Sequence, residues 1–269
     1  MPFSITTDYH VDPAVPWALQ LRRMRAAGFD RIHWCWDWCV NVVYGEARWS
    51  QIGELLAEAD LALADTHGAI AGDAREYSLD PAQRAAGLAL HRDRLAFTAA
   101  LGGDVVVLHP PEGQGDELAA ATERMVEAVA ELLPTVRDTG VRLAIENIWP
   151  SERNALVITR LLGAFGPDVL GFCLDSGHAN VAGDLDWLIE HAFDRLLAVH
   201  LHDNDGTGDQ HRLPGDGTVP WDKVRGALRD AGYAKVRNLE LSMSKLYGLD
   251  EEAFLAEAMV RAERHLGSE

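Results

Sequence analysis

The residues of this chain best placed to do chemistry begin at Val199-His200-Leu201-His202-Asp203-Asn204-Asp205 and resume at Asp209-Gln210-His211-Arg212. The apolar run Leu196–Val199 that leads into them reads as a buried strand, and its break into Asp, Asn and Gly marks the strand's carboxyl end. Strand side chains alternate between faces, so His200 and His202 project the same way, while Asp209 and His211 return from the loop that follows. Imidazole nitrogens and a carboxylate brought together in this way make a candidate metal site. Earlier apolar runs end alike: Asp65-Thr66-His67, Leu108-His109-Pro110, Ile145-Glu146-Asn147 and Leu174-Asp175-Ser176-Gly177-His178, with Leu239-Glu240-Leu241 after them. A carboxylate inside an apolar strand needs a partner, because burying it alone is costly.

Something must bring these dispersed residues together. Eight short runs read as strands: Phe3–Asp8, Arg31–Asp37, Leu61–His67, Asp104–His109, Arg142–Asn147, Leu170–Asp175, Leu196–His202 and Arg237–Leu241. Helical segments separate them: Pro16–Ala27, Ser50–Ala59, one capped by Asp80 with Pro81 in its first turn, Asp116–Asp138 with a kink expected at Pro134, Asn154–Phe165, Leu185–Ala192, Trp221–Ala231 and Asp250–Leu266. Several end at a glycine, as at Gly28, Gly140 and Gly232. Eight strands alternating with helices form a closed (β/α)8 barrel, an α/β fold, here a single domain over residues 1–269. Such a barrel gathers the carboxyl ends of its strands around one rim, so residues about 30 positions apart in sequence converge on one pocket.

The 24 Lys and Arg against 42 Asp and Glu give a net charge of −18. That balance argues against nucleic acid and anionic membranes, both of which are bound largely through basic residues. No apolar stretch approaches a membrane span and no signal-peptide pattern opens the chain, so a cytoplasmic location is expected. Cys35, Cys39 and Cys173 lack zinc-ribbon spacing and read as reduced, buried thiols. There is no Gly-x-Gly-x-x-Gly or Walker loop, so no nucleotide cofactor is expected. Ser176 lacks a nucleophile-elbow context. Mixed carboxylate and imidazole donors, with no cysteine among them, suit a divalent Mn, Co, Fe, Zn or Mg ion rather than structural zinc.

The order Ile145-Glu146-Asn147, Leu174-Asp175-Ser176-Gly177-His178, Val199-His200-Leu201-His202-Asp203, Pro214-Gly215-Asp216-Gly217-Thr218-Val219-Pro220-Trp221 and Leu239-Glu240 resembles the xylose isomerase-like TIM barrels over essentially the whole chain. That superfamily contains sugar phosphate isomerases and epimerases, ketose 3-epimerases, inosose-pathway enzymes and endonuclease IV. The resemblance implies a shared metal site at Glu146, Asp175, His200 and Glu240, with His202 as the substitute for His200. It implies Glu146 and Glu240 as the acid–base pair acting on opposite faces of an enediolate, with His178 contacting substrate. Where the epimerases carry a substrate-binding arginine before the Pro-Gly turn, this chain has Asp209 and His211. That feature looks like endonuclease IV, whose three-metal cluster would fall on His67, His109, Glu146, Asp175, His178, His200, Asp209, His211 and Glu240; the resemblance thus implies one to three ions per chain.

The expected function is therefore a metal-dependent isomerase or epimerase of a sugar, sugar phosphate or cyclitol. The alternatives are a multinuclear phosphodiester hydrolase and a dehydratase or lyase on a cyclitol-like compound; a non-catalytic metal-binding barrel is disfavoured. Acidity and the lack of basic clusters in the strand-end loops favour a small polyhydroxy partner over nucleic acid, and association into homo-oligomers is left open. Trp34, Trp36 and Trp38, alternating along the second strand, and Trp149, close after Glu146, are expected to wall the substrate or else to pack the barrel. Lys245, Arg212 and Arg153 could meet a substrate phosphate or serve as surface charges.

Overall fold

The computed structural model describes residues 2–10, 12, 14–243 and 248–267, so Lys245 lies outside the described residues. Eight parallel strands close in sequence order, β1 (Phe3–Thr6), β2 (Arg31–Trp34), β3 (Ala62–His67), β4 (Val105–Leu108), β5 (Arg142–Glu146), β6 (Leu170–Asp175), β7 (Leu196–Leu201) and β8 (Arg237–Leu239). The seam is made by β8 against β1, with Ile5 opposite Leu239. Each expected strand is present, several of them shorter at the carboxyl end. His109, Asn147, His202 and Glu240 thus sit just past the ladder, where side chains face the rim rather than a neighbouring strand.

The helices are α1 (Trp17–Ala26), α2 (Gly45–Glu58), α3 (Pro81–Ala100), α4 (Gly115–Thr139), α5 (Ser151–Ala164), α6 (Ser176–Ala182), α7 (Leu185–Ala192), α8 (Trp221–Asp230) and α9 (Glu251–Leu266). Capping explains several boundaries. The Asp80 carboxylate accepts from the Ala82 and Gln83 N–H groups at the start of α3, and Asp250 accepts from Ala253 at the start of α9. Gly140 ends α4 in the left-handed conformation at φ 71°. α4 stays helical through Pro134. α2 begins at Gly45 rather than Ser50, because the Asp93 carboxylate collects the Tyr44 and Gly45 N–H groups at 2.9 and 3.0 Å.

The main core lies between barrel and helices, from Phe3 and Ile5 to Phe254 and Leu266. A second buried cluster, Val105, Val107, Ala144, Cys173, Leu197 and Ala198, is separate from it. Ala144 and Cys173 precede Glu146 and Asp175 by two residues and so share their face, which puts this small-residue layer inside the barrel beneath the rim. No helix among the described residues is long and apolar enough to cross a membrane.

Candidate metal centre

Each expected ligand stands at a strand end or in the loop beyond it. His67, Glu146 and Asp175 are the last residues of β3, β5 and β6; His200 is the penultimate residue of β7; His109 and Glu240 immediately follow β4 and β8. His178 lies in the first turn of α6, a short helix the sequence reading did not anticipate, capped by Asp175 Oδ1 accepting from the His178 N–H at 2.6 Å. Asp209 and His211 are carried by the loop after β7. Asp203 and Arg212 close this loop through reciprocal backbone hydrogen bonds of 2.9 Å, and His211 adopts a positive φ of 46°. The buried Asp203 carboxylate accepts from the Asn204, Gly215 and Val219 N–H groups and the Trp221 indole at 2.8–3.0 Å, which explains the Pro214–Trp221 motif as a structural clasp. Gly217 is required there because a Cβ would meet Asn204 O at 2.1 Å and Asp203 Oδ1 at 2.3 Å.

The nine residues converge as three adjoining groups. His67 Nε2 and His109 Nε2 are 3.1 Å apart, and Glu146 Oε2 is 3.3 Å from His109 and 3.9 Å from His67. Glu146 Oε1 and Glu240 Oε2 lie 3.2 and 3.0 Å from His200 Nδ1, and one ligand atom each from Glu146, Asp175, His200 and Glu240 fall within 4.8 Å of one another. Asp209 Oδ2 is 3.5 Å from His178 Nε2 and 3.0 Å from His211 Nε2. Glu146 belongs to the first two groups at once, one oxygen in each.

The hydrogen-bond pattern of the imidazoles fits a divalent ion. His67, His178 and His211 each place Nδ1 against a backbone carbonyl, Gly68 O at 2.7 Å, Asn147 O at 2.9 Å and Glu240 O at 2.8 Å. A carbonyl only accepts, so Nδ1 carries the proton and Nε2 is left as the ligand atom, held in direction by the second bond. Glu146 Oε2 is buried and makes no hydrogen bond. Four carboxylates in so small a volume repel one another unless positive charge sits among them. Burial works to raise the Glu146 and Glu240 carboxyls, but the neighbouring His200 imidazole, with His109 beside Glu146, outweighs it and holds both well below their usual range. Burial and the neighbouring His109 push His67 down to about 3, so its ring is neutral and its lone pair available.

His200 Nδ1 faces both Glu146 and Glu240, while His202 comes close enough to share an ion with His211 and Glu240 or with Asp175 and His178. His202 sets Nε2 at 3.1 Å from Asp175 Oδ2 and 3.6 Å from Asp209 Oδ1, and stacks on His211 at 4.1 Å. Gly177 makes room for that ring, since a Cβ there would stand 1.9 Å from His202 Cε1. Ser176 Oγ donates to His202 O and accepts from His202 N, which is structural work rather than nucleophilic. The sequence reading also passed over His33. Its Nδ1 is 2.8 Å from Asp65 Oδ1, both are buried, and its ring packs 4.7 Å from that of His200; a histidine between Ile32 and Trp34 was the available signal.

The expected tryptophan wall is only partly present. β2 stops at Trp34, and Trp34 and Trp36 are buried against Trp17, so they pack the barrel. Trp38 lies 4.8 Å from His67 and 5.8 Å from His109 and lines a cavity of about 250 Å³ over the cluster, donating its indole N–H to Asp8 at 3.1 Å. Trp149 packs on His178 at 5.0 Å. Cys35 and Cys173 are buried as expected, but Cys39 is exposed, because β2 has ended and its residue lies on an open turn. Of the two described cations considered for a phosphate, Arg212 pairs with Asp205 at 2.9 Å, and Arg153 lines a cavity beside the cluster.

Known proteins agree with this architecture. A relative from Sinorhizobium fredii, of uncharacterised function, is 29% identical over 262 residues, covering 87% of this chain and 84% of its own length. A probable endonuclease 4 from Staphylococcus saprophyticus is 28% identical over 157 residues, about half of each protein at 51% and 52%. Among solved structures, D-psicose 3-epimerase in the presence of D-fructose superposes with a TM-score of 0.79 at 21% identity over 100% of both chains. The IOLI protein with a bound zinc atom superposes with a TM-score of 0.77 at 17% identity over 99% and 98%. The family model described as xylose isomerase-like TIM barrel matches residues 21–262. The chain belongs to the xylose isomerase-like TIM barrel family.

Proposed function

We propose that this protein is a divalent-metal-dependent isomerase or epimerase of a small polyhydroxy compound, a sugar, sugar phosphate or cyclitol. The observation that carries the reading is the convergence of Glu146 and Glu240 on His200 Nδ1, at 3.2 and 3.0 Å, with both glutamates lining an acidic cavity of about 250 Å³ walled by Trp38. Glu146, Asp175, His200 and Glu240 would hold a divalent ion, which would supply electrophilic stabilisation of negative charge developing on substrate oxygen. The chain's own residues do the rest. One of the two glutamates removes a proton from the carbon next to the substrate carbonyl, and the other returns it from the opposite face. His178, its Nδ1 fixed by Asn147 O, orients a substrate hydroxyl, and Trp38 excludes water from one side of the pocket. The IOLI structure with zinc and the epimerase structure share this fold, which supports the reading without fixing the substrate.

The test is incubation with ketoses and cyclitols in deuterated water. Deuterium entering one substrate carbon, and a Glu240→Gln variant that keeps its metal while turnover falls at least a hundredfold, are expected. Full activity in that variant would remove Glu240 from the reaction.

A second reading, hydrolysis of phosphoesters by a multinuclear centre, is favoured by the His67–His109–Glu146 and His178–Asp209–His211 groups and by the probable endonuclease 4 relative. Three bound ions together with cleavage of an abasic oligonucleotide or a nitrophenyl phosphodiester, and no deuterium exchange, would put this reading first.

A further inference from the structure

A second cavity, of about 230 Å³, opens beside the metal-ligand cluster and shares His109, His178 and Asp209 with it. A molecule whose reacting atoms sit over the cluster therefore has continuous space to extend sideways. The walls of the side cavity are unlike those of the centre: Tyr77 and Trp149, apolar Ile70, Pro110 and Ile148, and two guanidinium groups, Arg75 and Arg153.

We propose that this side cavity binds an anionic substituent, a phosphate or a carboxylate, of the substrate, with Arg153 as its principal ligand and Arg75 as the second. The proposal rests on the polyhydroxy-compound reading above and names the substrate class more closely. Arg153 stands in the first turn of α5, and its Nε is buried without a hydrogen-bond partner. Among the described residues no carboxylate lies within ion-pair distance of it, in a chain whose net charge is −18. Of the acidic residues on the cavity wall, Glu76 faces His91 at 3.8 Å and Asp209 is taken up by His178 and His211. Arg75 donates to Tyr77 Oη at 2.7 Å and lies 3.1 Å from Glu112, whose side chain is 68% exposed. So exposed a carboxylate holds its arginine weakly and yields to a better-placed anion.

The chemistry favours an anion over a hydroxyl. A half-buried guanidinium gives up part of its hydration, and apolar walls strengthen any charge it then meets. Its planar donor fork matches the paired oxygens of phosphate or carboxylate. Without a metal the central cavity repels such a group, since Asp8, Glu146, Asp209 and Glu240 line it. The side cavity is thus the place where a charged substituent can sit while neutral hydroxyls occupy the cluster.

The experiment is calorimetric titration with two probes, inorganic phosphate and acetate. It is run on manganese-loaded and on chelator-treated protein, for wild type, Arg153→Ala and Arg153→Lys. Wild type is expected to bind one of the probes in both metal states. The dissociation constant is expected to rise at least tenfold in Arg153→Ala and to recover partly in Arg153→Lys, with metal content equal throughout. The tighter probe identifies the substituent. Should Arg153→Ala unfold, the same comparison between wild type and Arg153→Lys, where charge persists but the fork is lost, still requires weaker binding. Absence of binding, binding that needs the metal and ignores Arg153, or equal affinity in all three proteins would overturn the proposal. Anion binding that depends on Arg153 while no ketose or cyclitol exchanges deuterium would leave this subsite standing and sink the isomerase reading alone.

Discussion

Gly177 gives the sharpest test of how the site is built. It is the second residue of α6, in right-handed helical conformation, where alanine would ordinarily stabilise by about 0.5–1 kcal/mol. Here a Cβ would stand 1.9, 2.4 and 2.6 Å from three atoms of the His202 ring. The ring has no way out. His211 stacks on it at 4.1 Å, and Ser176 Oγ clamps both the N–H and the carbonyl of His202. Forcing the ring aside costs about 1–3 kcal/mol by overpacking. Losing the 3.1 Å His202–Asp175 hydrogen bond costs about 1.5–3 kcal/mol more, because its acceptor is a charged, buried carboxylate. Set against the helical gain, Gly177→Ala should destabilise by about 1.5–5.5 kcal/mol, a melting shift of roughly 3–22 °C downward. Thermal unfolding of chelator-treated protein reads this without stabilisation from bound metal. Removing the obstacle should restore much of the loss, so Gly177→Ala with His202→Ala should be about 2 kcal/mol more stable than the sum of the single changes. A stabilising Gly177→Ala, or strict additivity in the pair, would refute the packing argument.

Three further outcomes follow from the same geometry. Asp203→Ala should lower stability by about 3–5 kcal/mol, because it strands three backbone N–H groups and the Trp221 indole; a denaturant midpoint within error of wild type would contradict the clasp. His67→Ala should lower bound metal per chain, measured by mass spectrometry, while leaving whatever is held by Glu146, Asp175, His200 and Glu240; an unchanged metal count would show that His67 and His109 hold no ion. Burial opposes a charge on His211, but its hydrogen bond to Asp209 and the nearby Glu240 carboxylate outweigh burial and raise it to about 10 in metal-free protein. A folded value above the unfolded 6.5 means that its stabilisation is full below pH 6.5 and fades as pH rises toward 10. Chelated wild type should therefore lose stability across that window and His211→Asn should lose less; parallel curves would remove the Asp209–His211 pair from the account.

What the sequence made legible was whatever depended on strand ends. β-strand period and helix caps place His67, His109, Glu146, Asp175, His200 and Glu240 at successive carboxyl termini, and closure of the barrel does the rest. What escaped was set by contacts that no local pattern carries. Trp34, Trp36 and Trp38 look equivalent when the second strand is extended to Asp37, yet the strand stops at Trp34, so only Trp38 turns toward the cluster. Period two could not separate His200 from His202, since both face the same way; the two differ in what they meet, Glu146 and Glu240 for His200, and Asp175, His211 and Glu240 for His202. His33 was missed because a lone histidine in an apolar run carries no sign of Asp65, 32 residues away. These cases share one physical cause. Period and capping are properties of a segment, whereas the direction of an imidazole is fixed by the second bond it makes, to Gly68 O, Asn147 O or Glu240 O, and for His178 and His211 that partner comes from another element of the barrel. The strand-end candidates are therefore written in the strands, but their aim is written in the loops, and substitutions that spare every candidate ligand, such as Gly177→Ala, are the ones that test it.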